Sequence, residues 1–252
     1  MLEKIFKNRK VLIPFLAVGD PGLAATEKLV YEFEKAGADI IELGIPFSDP
    51  IADGPVIRNA FNKALKLNIS IADCFNLVKK IRRNSNIPLV FMVSYSLIFN
   101  YGIDKFILDC KNAGVNGIIS PDLTPDNAKD FIKACRKSKL DTIFLVAPTS
   151  TDSRIKLAAK YSTGFIYAVS VTGITGARKE VSKDLSSFIK RIRKFTNKPI
   201  AVGFGISTTE QAKAVSKIAD GVIVGSAIVK MVSDNKFKSA VNLVINLKKY
   251  IN

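Results

Sequence analysis

Eight short apolar runs alternate with amphipathic helical stretches, and no linker divides them. This pattern predicts an α/β chain closed into a (β/α)8 barrel, the TIM-barrel architecture, as a single domain over 1–252 with extra short helices. The runs occupy 11–17, 40–43, 89–93, 117–120, 142–146, 165–169, 200–202 and 221–224. Each is nearly continuous Val, Ile, Leu, Phe or Ala, the composition of parallel strands buried on both faces. Helical periodicity covers 27–35, 71–83, 103–112, 128–138, 153–161, 185–195 and 209–217. Thr26, Asp104, Asp126 and Thr208 stand where N-caps are expected, and glycines 37, 114 and 164 where left-handed C-caps would end helices. An open doubly wound sheet is the alternative. The turn after the first run, Val18-Gly19-Asp20-Pro21-Gly22, lacks the glycine fingerprint that such sheets carry there.

Composition narrows the chemistry. The 252 residues suffice for a substantial core, and histidine is absent from all of them. That excludes Ser-His and Cys-His nucleophile pairs, imidazole metal ligands and imidazole proton shuttles. Cys74, Cys110 and Cys135 lie far apart with no CxxC spacing, so they read as small buried apolar side chains of a reduced, cytoplasmic protein. No metal site is expected. The formal charge of +16 invites a nucleic-acid reading, but the lysines are spread over helical segments with no basic stripe, so no nucleic-acid partner is expected. The apolar runs are all shorter than a bilayer span, and residues 1–10 lack the apolar stretch of a secretory signal, so no membrane partner is expected either.

Proton transfer therefore falls to carboxylates, and one segment concentrates them. The apolar residues Ile40 and Ile41 end at Glu42, and the turn-rich stretch that follows carries Asp49 and Asp53 among prolines 46, 50 and 55. A carboxylate at the tip of a buried strand costs several kcal/mol, on the order of what burial of an unpaired charge demands, unless it has a partner or a function. The flanking loop offers no Lys or Arg before Arg58, which favours function for Glu42. Asp53 has an Asx-turn role as its competitor, and Asp49 and Asp20 read first as turn residues. In a barrel the loops after the strands meet at one face. There Gly176, Gly205 and Gly225-Ser226 converge, and Ser226 opens a short helical run, so this corner is expected to hold a phosphate.

The motifs at that face resemble those of the tryptophan synthase α subunit family. The matching segments are Pro14-Phe15 with Gly19-Asp20-Pro21, the whole of 42–55, Pro121-Asp122-Leu123, Ala147-Pro148-Thr149, 169–178, 203–207 and 224–229. They span nearly the whole chain; the 42–55 and 169–178 segments are highly specific, whereas the glycine corner is shared with other barrels.

The resemblance implies a lyase of tryptophan biosynthesis that splits indole-3-glycerol phosphate by a retro-aldol reaction. It implies Glu42 as the general acid-base and Asp53 as acceptor of the indole N–H. It implies Phe15 and Tyr167 around the indole, and Gly176, Gly205, Gly225 and Ser226 around the phosphate. Thr175 and the stretch to Arg178 would form a lid that touches Asp53 on closing. No cofactor is implied in this subunit; pyridoxal phosphate is expected in a β subunit that receives indole within an α2β2 complex. A stand-alone lyase without a β partner, and an idle barrel kept as an allosteric activator, remain as alternatives. The chain departs from the family after the third and fourth runs. It carries Ser94-Tyr95-Ser96 where many members have a tyrosine and an asparagine, and Ser120 and Thr124 where an apolar residue and a proline are usual.

Overall fold

The structure, a computed structural model, describes residues 1–49, 54–169, 183–203 and 205–251. A 3-10 turn, Leu2–Phe6, precedes β1 (Val11–Ala17), α1 (Leu23–Lys35), β2 (Ile41–Gly44), α2 (Pro55–Lys66) and α3 (Ile71–Ile81). Then come β3 (Leu89–Met92), α4 (Tyr95–Tyr101), α5 (Ile103–Ala113), β4 (Gly117–Ile119), a 3-10 turn at Pro125–Asn127 and α6 (Lys129–Ser138). Next follow β5 (Asp141–Ile143), β6 (Leu145–Val146), α7 (Asp152–Tyr161), β7 (Ile166–Val169) and α8 (Lys183–Arg193). The chain ends with β8 (Ile200–Gly203), α9 (Thr209–Ser216), β9 (Gly221–Val224), α10 (Ser226–Ser233) and α11 (Phe237–Ile251).

The strands pair in parallel in the order β5-β4-β3-β2-β1-β9-β8-β7-β6. Among the described residues nine strands take the place of the eight expected, because the run 142–146 is broken at Phe144. β5 pairs with β4 and β6 pairs with β7. Phe144 bridges the break: its carbonyl accepts from the Tyr167 N–H at 3.2 Å and its own N–H donates to Ser162 Oγ at 3.0 Å. β5 and β6 are thus two halves of one stave, and the circle closes on eight staves.

The continuous apolar runs arise because each strand packs on both faces. Leu12, Ile41, Leu89, Phe91, Ile118, Ile166 and Val222 face outward into the core shared with the helices. Ile13, Ile40, Val90, Ile119, Ile143, Phe165 and Ile223 face inward and form a second core inside the barrel. The alternation of inward and outward positions has the period of two that strands impose.

At the lower end, where the strands begin, the Leu2–Phe6 turn plugs the barrel. A Cβ on Gly117 would lie 2.8 Å from Leu2 Cδ1, and one on Gly221 would lie 2.9 Å from Phe6 Cε1, so these strand glycines are spaces that the plug fills. The Phe6 and Phe165 rings stand 5.5 Å apart, and the Leu2 N–H donates to Asp141 Oδ2 at 2.6 Å. On the same end Arg82 closes the β3 and β4 entries by donating to Gly114 O at 2.9 Å, Ile87 O at 2.7 Å and Asn116 Oδ1 at 2.8 Å.

Helix ends depart from expectation in several places. Thr208 caps α9 in a capping box with Gln211, but Thr26 lies inside α1, Asp104 in the first turn of α5 and Asp126 within a 3-10 turn. Ser70 and Thr151 supply caps to α3 and α7. Gly114 ends α5 in the left-handed conformation and Gly37 follows α1 with φ 96°. Gly164 is a packing glycine instead, since a Cβ there would meet Ile143 and Leu2 at 3.3 Å. Cys74, Cys110 and Cys135 are buried free thiols; burial pushes the Cys74 thiol up to about 12 and raises the other two as well. Among the described residues no helix is long and apolar enough to cross a membrane.

Candidate active site

The upper ends of the strands open onto a cavity of about 330 Å³. Phe15, Tyr167, Gly205, Gly225 and Ser226, all expected from the sequence, line it. Met92, Pro121, Leu145, Val169 and Ile223 line it too, together with the first turn of α2 from Gly54 to Ile57. Pro121 and Val169 fall in the matching segments, whereas Met92, Leu145 and Ile223 are anonymous in the sequence because they continue apolar runs. Their signal is register: Met92 lies two residues beyond the inward Val90, and Leu145 two beyond the inward Ile143.

Glu42 sits on β2 with no exposed surface. It is in register with Phe15 on β1 and with Val90 on β3. Phe15 lines the cavity and Val90 belongs to the barrel interior, so the carboxylate faces inward beneath the cavity. Its position follows from strand alternation: Ile41 and Leu43 on either side point outward into the helix-facing core. A carboxylate held in such surroundings feels strong fields from few neighbours, which is the condition for a tuned acid-base group.

Two glycines at strand ends make room for the rings of the cavity. A Cβ on Gly44 would stand 2.4 Å from Phe15 Cζ, and one on Gly203 would stand 2.5 Å from Tyr167 Oη. Gly44 belongs to the 42–55 stretch and Gly203 to 203–207, and each is a glycine that ends an apolar run.

The cavity has two unlike poles. On one side α10 begins directly after β9, with Gly225 as its N-cap and Ser226 as its first residue. No side-chain hydrogen bond caps this end among the described residues. Its first-turn N–H groups and the positive end of its dipole are therefore available to an anion. Gly205, after the neighbouring β8, takes φ 77°, a conformation that favours glycine and brings backbone close to the same corner. On the other side, across the circle of staves, β3, β4 and β6 contribute Met92, Pro121 and Leu145, an apolar wall suited to a flat ring.

Asp53, Thr175 and Gly176 lie outside the described residues, as do Arg178 and most of 169–178. Asp49 is exposed. Asp20 is buried and accepts from Ser233 Oγ, so it ties the turn after β1 to the end of α10. No group of three His, Cys, Asp or Glu side chains that could hold a metal occurs among the described residues.

A family model described as tryptophan synthase alpha chain matches residues 2–251. The chain is 50% identical to the tryptophan synthase alpha chain of Dehalococcoides mccartyi over 231 residues, 92% of this chain and 91% of the relative. Among solved structures it is similar to a chain of Mycobacterium tuberculosis tryptophan synthase, with TM-score 0.92 and 35% identity, covering 99% of this chain and 97% of that one. A chain of the tryptophan synthase α2β2 complex from Pyrococcus furiosus gives TM-score 0.87 at 38% identity, with 96% and 97% covered.

Proposed function

The chain belongs to the tryptophan synthase alpha chain family, lyases that cleave indole-3-glycerol phosphate and pass indole to a β subunit, and we propose that it does so with Glu42 and Asp53 as its catalytic pair. The family carries no cofactor of its own; pyridoxal phosphate belongs to the β subunit. The observation that carries the proposal is the buried Glu42 in register with Phe15, beneath a cavity whose far corner is the N-terminus of α10.

The substrate's phosphate rests on Ser226, Gly225, Gly205 and Gly176, where backbone N–H groups and the α10 dipole favour negative charge. Its indole ring lies toward Phe15 and Tyr167. Glu42 delivers a proton to indole C3, and the ring nitrogen takes up the positive charge, stabilised by Asp53 accepting the N–H. The side-chain hydroxyl next to C3 then gives its proton to the Glu42 carboxylate, the C–O bond becomes C=O, and the bond from that carbon to C3 breaks. Its electron pair returns to the ring and restores neutral indole, while the other fragment leaves as glyceraldehyde 3-phosphate. Indole is its own electron sink, so neither a metal nor a Schiff-base lysine is required. Thr175 closes over the site with its loop and meets Asp53, excluding water.

The chain acts as one catalytic domain over 1–252, in the cytoplasm, paired with a β subunit in an α2β2 complex; neither nucleic acid nor membrane is a partner. The test is indole release from indole-3-glycerol phosphate by the purified chain, with and without a β subunit. Release that rises on the order of tenfold or more with the β subunit is expected, the size of a typical coupling between sites. Absence of indole under both conditions overturns the reading, and equal rates overturn the dependence on the partner.

A further inference from the structure

Three serines after β3 and β4 gather around one carboxylate. Ser94 Oγ donates to Asp122 Oδ2 at 2.6 Å, and the Tyr95 N–H reaches both carboxylate oxygens, at 2.8 and 3.0 Å. Ser120 Oγ lies 3.1 Å from Asp122 Oδ1 and 2.9 Å from Val93 O, so its single proton is shared between the two. Ser96 Oγ stands 2.9 Å from Ser94 Oγ. Since the Ser94 proton goes to Asp122, the Ser96 hydroxyl is the donor of that pair. Ser96, Ser94 and Asp122 form a chain of hydrogen bonds that ends on a charge, the stronger kind.

The placement of this network gives it a consequence. Tyr95 is the first residue of α4, directly after β3, and Asp122 lies in the turn directly after β4. Asp122 therefore caps α4 from a neighbouring stave, with its negative charge at the positive end of that helix. The residue between Ser120 and Asp122 is Pro121, which lines the cavity on the apolar side, across the circle from Gly205 and Ser226. Hydrogen bonds on both flanks leave Pro121 little freedom to recede.

We propose that Asp122, held by Ser94, Ser120 and the Tyr95 N–H, is a positioning residue that sets the Pro121 wall against the aromatic ring of the substrate. It touches neither the reacting atoms nor the phosphate. This rests on the lyase reading and adds a specific consequence: loosening the clamp weakens the ring end of the site and spares the phosphate end.

The experiment measures binding of indole and of glyceraldehyde 3-phosphate separately, with the full chain. The Asp122→Ala protein is expected to lose about tenfold in affinity for indole and less than about twofold for glyceraldehyde 3-phosphate, with KM rising more than kcat falls. Asp122→Asn, whose amide oxygen still accepts from Tyr95, is expected to recover most of the loss. The Ser94→Ala/Ser120→Ala protein keeps the carboxylate and the backbone donor; an indole-selective loss of about threefold is expected, and it decides the matter if Asp122→Ala does not fold. Equal loss for both ligands, or no loss for either, overturns the clamp. If the unmodified chain binds neither ligand, the lyase reading falls and the clamp falls with it.

Discussion

At the lower end of the barrel Leu2 and Phe6 fill the spaces beside Gly117 and Gly221, and Arg82 ties the strand entries together. At the upper end the spaces beside Gly44 and Gly203 admit the rings of Phe15 and Tyr167, and a cavity of about 330 Å³ is left over them. Both ends use the same device, a glycine on an inward strand position. What differs is the occupant. Below, a segment of the chain itself arrives as a plug and the end becomes core. Above, no described segment fills the space, and a buried carboxylate faces it. A strand glycine thus marks room in the barrel, and whether that room is core or site depends on what the rest of the chain brings to it.

The contrast is sharpest in the two residues that define it. Glu42→Gln removes the proposed acid-base group and is expected to lower kcat for indole release by about 10³-fold, within the range such groups supply. Because Gln occupies nearly the same volume in this fully buried position, the fold is expected to be retained. Chemical denaturation alongside the lyase assay checks both halves. Phe6→Ala is the opposite case: about 3 kcal/mol of stability lost, with kcat of the folded protein unchanged. Loss of activity without loss of stability in that variant would break the division between the ends.

Smaller changes refine the comparison. Gly203→Ala forces the Tyr167 ring away, since the new methyl carbon would lie 2.5 Å from its Oη. A fall of about tenfold in kcat/KM is expected from displacing a ring that lines the cavity, measured by steady-state kinetics. Thr208→Ala removes a capping box at the start of α9, three residues beyond Gly205; about 1 kcal/mol of stability should be lost, measured by chemical denaturation.

The barrel was legible because its strands are buried on both faces, which writes each one as an unbroken apolar run. For the same reason the break at Phe144 was not legible, since a backbone irregularity inside an apolar run changes no residue type. Thr208 stands where a cap is expected, and Gln211 three residues on completes the box. Ser70 with Asp73 has the same form and caps α3, while Asp126 lies in a 3-10 turn, which shares its first residues with a helix start. In the site, Glu42 stood out as a charge at the tip of an apolar run, and Gly225-Ser226 as a glycine before a helix. Met92 and Leu145 carry no such contrast, and only strand register brings them to the cavity. The network around Asp122 joins two separate turns across neighbouring staves, so no local pattern predicts it.

The division between the ends is tested most directly by the double variant Phe6→Ala/Glu42→Gln, with unfolding free energy and lyase kcat measured together. Phe6 packs on Gly221 and Phe165, whereas Glu42 stands beside Phe15 and Val90, so their effects should be independent. The expected result is the kcat of Glu42→Gln alone and a stability change equal to the sum of the single variants within about 0.5 kcal/mol. A kcat restored toward that of the unmodified chain, or an interaction between the two sites above about 1 kcal/mol, would contradict it.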